Sequence, residues 1–208
     1  MFITLEGPEG SGKTTLCTRL ELLLASKGHD VVSVREPGGT LIGQKVRDVL
    51  LDQANTGMFP QAEFLLFSAS RAQLVREVVK PHLDAGTVVL CDRFLDSSLA
   101  YQGYGHQLEV DVLREISGFV TAGLQPDLTF LLDVLPDEGL RRRKQDPDTW
   151  NRLDAYSIEF HSRVRNGFLS LAKNNPNRWE IIDASQSEDE IFSAASAVLL
   201  KVLEKRGG

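Results

Sequence analysis

GPEGSGKT, residues 7–14, satisfies G-x-x-x-x-G-K-[ST] between the apolar run FITLE (2–6) and a stretch with leucines at helical spacing. That context decides the fold. Gly7, Gly10 and Gly12 let the backbone turn so that its amides converge on phosphate oxygens, and the following helix adds free N–H groups and its positive end. Lys13 then reaches the β- and γ-phosphates, and Thr14 offers a hydroxyl to Mg²⁺. The motif points to a bound nucleoside triphosphate held by Gly7, Pro8, Glu9, Gly10, Ser11, Gly12, Lys13, Thr14 and Thr15. A carboxylate inside an anion cradle, Glu9, is its odd member.

Outward from this loop, short apolar runs recur: FITL (2–5), VVSV (31–34), TVVLC (87–91), LTFLLDV (128–134) and WEIID (179–183). Each is apolar almost throughout and bounded by polar or glycine-containing sequence, the pattern of strands buried on both faces of a parallel sheet. Helical patterns lie between them. Residues 14–27 carry Leu16, Leu20, Leu23 and Leu24 on one stripe before Gly28. Further helices fit 41–51, 61–85 with a break near Pro81, 110–122, 154–172 and 188–204. The alternation predicts an α/β fold, a five-stranded, largely parallel sheet with helices on both faces, in one domain over 1–208. The most irregular segment is RRRKQDPDTWNR (141–152), rich in charge and interrupted by Pro147, which reads as a mobile insertion.

Composition fits this reading. At 208 residues, 42% hydrophobic and 25% charged, the chain can bury one good core. A net charge of −6, from 29 acids against 23 Lys and Arg, argues against a surface built for nucleic acid or membrane. Anionic ligands must therefore be held locally. Cys17 and Cys91 have no metal-ligand spacing and read as core thiols. The N-terminus has no basic region followed by an apolar core, and no apolar run approaches about 18 residues. A cytoplasmic protein with reduced thiols is the simplest expectation.

Two more segments fall at the C-terminal ends of predicted strands, where open parallel sheets bind ligands. REPGGT (35–40) follows the second strand and DRFLDSSLAYQG (92–103) the third. Asp92 can polarise a Mg²⁺-bound water as a Walker-B-type acid does, and Arg93 adds positive charge at the same edge.

EGPEGSGKTT, REPGGT, DRFLDSSLAYQG and QPDLTFLLDV (125–134), in this order, closely resemble bacterial thymidylate kinase over residues 2 to about 184. REPGGT with DR…S…AYQG is far more specific than the phosphate loop alone. The resemblance implies a P-loop NTPase fold with a helical lid at about 139–153, and phosphorylation of dTMP by ATP with Mg²⁺ on the way to dTTP. It also implies a homodimer packed near the acceptor site. Arg47 and Arg93 match the acceptor-phosphate arginines, suited by their bidentate fork. Phe67 matches the residue under the thymine ring and Arg71, one turn further on, the residue at its carbonyl edge. Ser98 and Gln102 match positions completing base recognition, and Tyr101 the ring that excludes a 2′-hydroxyl by bulk. Glu36 and Pro37 fall in the same set, Pro37 walling the pocket. Glu9 matches an acid beside the acceptor's sugar, where it accepts from the 3′-hydroxyl and pairs with a lid arginine on closure.

Members of that family carry the arginine that steadies the transferred phosphoryl group either in the phosphate loop or in the lid. This loop has none, which points to the lid, to Arg143 and to Arg152. NRLD (151–154) resembles the family's [DN]-R-x-E, with Asp154 a departure from the usual Glu. The catalytic set is then Lys13, Asp92, Arg93, Arg143 and Arg152, with Thr14 and, through water, Asp92 on the metal. The nearest rival is another P-loop kinase, acting on a deoxynucleoside or a different monophosphate. A non-catalytic nucleotide switch is a rival of another class, opposed by the residues Arg47, Phe67, Arg71 and Arg93 committed to a second small-molecule pocket.

Overall fold

Five strands pair in parallel in the order β2-β3-β1-β4-β5. They are β1 (Phe2–Glu6), β2 (Val31–Arg35), β3 (Val88–Asp92), β4 (Leu128–Asp133) and β5 (Trp179–Asp183). The computed structural model describes residues 1–145 and 150–207. Side chains on a strand alternate between faces, so each strand feeds two cores. Phe2, Val89, Cys91 and Leu131 pack with Phe64, Phe94 and Phe168 on one face. Ile3, Leu90 and Phe130 pack on the other with Leu16, Leu20 and Leu24 of α1 (Lys13–Ser26) and Leu199 of α9 (Glu188–Gly207). Each such side chain contributes about 1.5–3 kcal/mol by leaving water.

The first face is covered by α3 (Pro60–Leu74), α6 (Val110–Thr121) and α8 (Ile158–Asn174). α2 (Leu41–Leu51), capped by the Thr40 hydroxyl, packs beside α3. β1 sits in the middle of the sheet with β3 on one side and β4 on the other, so the chain's two halves diverge from it. A crevice opens beyond the carboxyl ends of such strands. The loops after β1, β2 and β3 all open into it.

The helix expected over 61–85 is continuous in direction, but its ladder widens to π-type bonding at Val75–Val79 before α4 (Lys80–Asp84). Pro81, lacking an N–H, falls directly after this π-type stretch, at the start of α4. The helix expected from residue 154 begins at Ile158, because the Ser157 hydroxyl caps it and a 3₁₀ turn, Arg152–Ala155, precedes it. One helical segment goes beyond the expectation, and a second overlaps the implied lid. α5 (Leu95–Ser98) runs into a π-helical stretch, Leu99–Gly105, which packs against α8. α7 (Pro136–Arg143) makes the first three residues of the supposedly irregular 141–152 helical. Pro147 and its neighbours at 146–149 lie outside the described residues. Among the described residues no helix is long and apolar enough to cross a membrane.

Candidate active site

The loop after β1 folds tightly against its surroundings. Gly7 has φ 144°, and a Cβ there would stand 2.4 Å from the Leu132 carbonyl oxygen. Gly10 has φ 67°, and a Cβ would stand 2.1 Å from the Gly139 oxygen of α7. Only glycine permits both the left-handed backbone and the close approach. The Lys13 ammonium is buried and donates to the Gly7 and Pro8 carbonyls and to Ser11 Oγ, at 3.1, 2.8 and 3.0 Å. Burial, then Arg93, pushes its pKa down to about 7. Thr14 Oγ1 donates to Asp92 Oδ2 at 2.6 Å, so a hydroxyl from the first turn of α1 and a carboxylate from the end of β3 meet at the cradle's edge.

Beside it, Arg93 occupies φ 73°, an unusual conformation for a side-chain-bearing residue and one that tends to mark functional sites. It aims the guanidinium back under the cradle, where it donates to the Gly7 carbonyl, Ser97 Oγ, Tyr101 Oη and, at 3.0 Å, Glu9 Oε1. Tyr101 also donates to Glu9 Oε1, at 2.8 Å. Burial would raise the Glu9 pKa, but Arg93, Lys13 and the Tyr101 bond outweigh it and hold it at about 2. The acid in the anion cradle is therefore an ionised partner of the arginine behind it. Below, the buried Glu6 carboxyl, its pKa raised by burial and by Asp96, accepts from the Phe94 N–H and Ser97 hydroxyl and fixes the turn carrying Arg93.

The other half of the cleft is built from α2, α3 and the segment after β3. Arg47 donates to the Pro37 carbonyl at 2.9 Å, which swings its fork over REPGGT. Phe67 is half-buried in the cleft wall. Arg71, one turn on, is 1% exposed and lies behind that wall rather than in it. Its Nε donates to Glu36 Oε2 at 2.8 Å, and its Nη2 to the Phe94 carbonyl and Ser98 Oγ. Arg71 Nη1 has no partner, and neither has Gln102 Oε1, although both atoms are buried. Gln102 Nε2 donates to Glu63 Oε1 at 2.7 Å.

One cleft thus gathers the loop from Glu9 to Thr15 with Glu36, Pro37, Arg47, Phe67, Asp92, Arg93, Ser98, Tyr101, Gln102 and Arg143. Gly7, Pro8, Arg71 and Arg152 do not line it. Five lining residues were not anticipated: Arg35, Leu51, Ser97, Asn151 and Leu153.

The two lid arginines separate. Arg143, at the end of α7, reaches the cleft and donates to Asp154 at 2.8 and 3.1 Å. Asp154, despite the shorter side chain, also accepts from the Asn151 backbone and amide. Arg152 points the other way. It is 6% exposed, and donates to Glu63 Oε2 at 2.6 Å, Tyr156 Oη at 2.7 Å and the Leu50 carbonyl at 3.0 Å. Its charge is committed to a buried carboxylate 89 residues away, which sequence spacing does not reveal. Arg141 and Arg142 both pair with Glu138 on their own helix.

The family model for thymidylate kinase matches residues 5–195. The chain belongs to the thymidylate kinase family. It is 55% identical over 193 residues to the thymidylate kinase of Deinococcus radiodurans, covering 92% of each chain. It is 45% identical over 210 residues to that of a Roseiflexus species, covering 96% of this chain and 93% of the other. A crystal structure of thymidylate kinase from Ehrlichia chaffeensis superposes with a TM-score of 0.78 at 35% identity, covering 96% of this chain and 98% of that one. Membership of the thymidylate kinase family accounts for the P-loop NTPase fold and makes the chain an enzyme of phosphoryl transfer. Glu63 escaped the sequence reading, yet it sits four residues before Phe67 and eight before Arg71, on the same face of α3.

Proposed function

We propose that this chain is an ATP-dependent dTMP kinase, transferring the γ-phosphoryl group of ATP to the 5′-phosphate of dTMP to give dTDP, a step toward dTTP in de novo synthesis and salvage. The supporting observation is the meeting of two half-sites in one cleft, with Glu9 and Arg93 at the seam. ATP phosphates take the loop amides and the Lys13 ammonium. Arg47 and Arg93 hold the acceptor phosphate, a dianion that needs no general base. One of its oxygens bonds to the γ-phosphorus as the bond to the β-phosphate oxygen breaks, and ADP leaves. The protein's task is alignment and charge neutralisation.

The base edge is read by what Arg71 and Gln102 leave unpaired. A donor, Arg71 Nη1, on a guanidinium held against the cleft-lining Glu36 and Ser98, and an acceptor, Gln102 Oε1, complement the O4 and N3–H of thymine, with Phe67 against the ring. The same two atoms oppose the amino group and bare N3 of cytosine. Ser98 holds Arg71 in place, Glu36 and Pro37 bound the pocket, and Tyr101 crowds the sugar. Glu9, held by Arg93 and Tyr101 on one oxygen, keeps Oε2 for the sugar's 3′-hydroxyl.

Mg²⁺ suits Thr14 and Asp92, hard oxygen donors 2.6 Å apart at the cradle's edge, since the ion prefers one or two protein oxygens with phosphates and waters completing its shell. It would neutralise charge across the β- and γ-phosphates. Arg143 is the lid arginine of this reading, in place of Arg152. Leu41, Ile42, Val49, Leu65, Val112 and Phe119 stand exposed on α2, α3 and α6, and support a homodimer through these helices. Two free, buried thiols fit a cytoplasmic setting.

ADP release, followed by a coupled assay with ATP and Mg²⁺ across dTMP, dUMP, dCMP, AMP and thymidine, tests the assignment. dTMP is expected to dominate. Dominant turnover of thymidine, or none of dTMP, sinks it.

A further inference from the structure

We propose that Glu63 is a positioning residue that sets base specificity, by holding the Gln102 amide with its oxygen toward the pyrimidine. The proposal rests on reading the cleft as a dTMP site and goes one layer deeper. Gln102 is 1% exposed and lines the cleft. The two ends of its amide are nearly the same shape, so packing alone does not choose which end faces the ligand. Glu63 chooses. Its Oε1 lies 2.7 Å from the Gln102 amide, and an ionised carboxylate only accepts, so the NH₂ end must turn to Glu63, which leaves the buried oxygen without a partner and available to the base.

The surroundings of Glu63 keep it ionised. It is 0% exposed, with Arg152 at 2.6 Å and Tyr156 Oη at 3.0 Å on Oε2, and His106 Nε2 3.3 Å from Oε1. Burial would raise its pKa, but His106, Gln102 and Arg152 outweigh it and hold it at about 2. Arg152, Tyr156 and His106 are thus the support of a recognition residue, although none of them lines the cleft.

The same geometry predicts what Glu63→Gln does. Arg152 only donates, so the new amide must keep oxygen at the Oε2 position and place NH₂ where Oε1 was. Gln102 then meets a donor and turns its own oxygen toward it. Its NH₂ end faces the base, opposing the N3–H of thymine and matching the bare N3 of cytosine. Adding Gln102→Glu restores an acceptor on both sides of residue 102 and keeps the number of carboxylates in the cluster.

The experiment measures kcat/KM for dTMP and dCMP with the full chain as wild type, Glu63→Gln and Glu63→Gln/Gln102→Glu, each checked for folding by thermal denaturation. In Glu63→Gln the dTMP-to-dCMP ratio is expected to fall about tenfold or more, the size of one buried hydrogen bond exchanged for an opposed pair of donors. The double variant is expected to recover the preference. A purely structural role would lower both substrates together, so an unchanged ratio in folded Glu63→Gln overturns the proposal. If the single variant does not fold, the double variant decides: preference for dTMP supports the proposal and its loss overturns it. Failure of the wild type to favour dTMP would instead remove the reading of the cleft on which the proposal stands.

Discussion

Arg152→Ala tests whether this arginine serves the fold, through Glu63, or the phosphoryl group. The guanidinium is the counter-charge of Glu63, whose side chain is 0% exposed, and also satisfies the Leu50 carbonyl. Removing one partner of a buried pair costs about 3–5 kcal/mol, because the other charge stays buried without compensation. Tyr156 and Gln102 continue to donate to Glu63, which places the expected loss toward the lower end. For a chain of this size each kcal/mol lowers Tm by about 2–4 °C, so a fall of about 6–12 °C is expected at pH 7. Calorimetry gives the Tm, and initial rates at 25 °C give the kinetics. Arg143→Ala should do the reverse, lowering kcat by about 10² or more with the smaller change in Tm. Arg143 is more exposed than Arg152, with 20% of its side chain accessible against 5%, and Asp154 keeps its two Asn151 donors without it. A hundredfold loss of kcat in Arg152→Ala with Tm unmoved would refute the reasoning and return Arg152 to the phosphoryl group.

Gly10→Ala should cost about 1–3 kcal/mol of stability and most of the ATP affinity, since its methyl would overlap the Gly139 carbonyl oxygen and its φ is 67°. Denaturant titration and nucleotide binding check both, and an unaltered variant would show that the contact yields easily. Lys13, depressed to about 7 from 10.5, carries less than a full proton above pH 7, while phosphate oxygens favour its charged form. ATP binding at pH 8 should therefore take up protons, seen as binding heats that differ between buffers of different ionisation enthalpy. Equal heats would show that the ammonium is already charged.

The sheet was legible because β1, β3 and β4, buried on both faces, must be apolar along their length, and the half-buried edge strands β2 and β5 keep short β-branched or aromatic runs. All five runs fall within a residue of the observed strands, as FITL does against Phe2–Glu6. The phosphate loop was legible for another reason, its glycines being required by positive φ at Gly7, Gly10 and Gly12 and, at the first two, by close contacts such as that of Gly10 with Gly139. The start of α7 was visible only through the resemblance, because in the charged run from Arg141 the ion pairs of Arg141 and Arg142 with Glu138 form only once the helix does. The helical turn after Asp92 was hidden because its order comes from α8, far along the chain. The ion pair of Arg152 was hidden for the most instructive reason. An arginine in a basic run looks the same whether it faces a phosphate or a buried acid, and only the fold brings Glu63 to it.

The pairs at the seam of the cleft are distant in the chain. Thr14 and Asp92 are separated by 78 residues, and Glu9 and Arg93 by 84. They meet because β1 and β3 are neighbours, with Leu5 in register with Asp92. Closing so long a stretch of chain costs entropy before any contact repays it. The glycine loop therefore gains its contacts with Asp92 and Arg93 only when the third strand docks beside the first. Recovery of nucleotide binding during refolding should trail the formation of helices, and a nascent chain halted before residue 88 should hold no ATP.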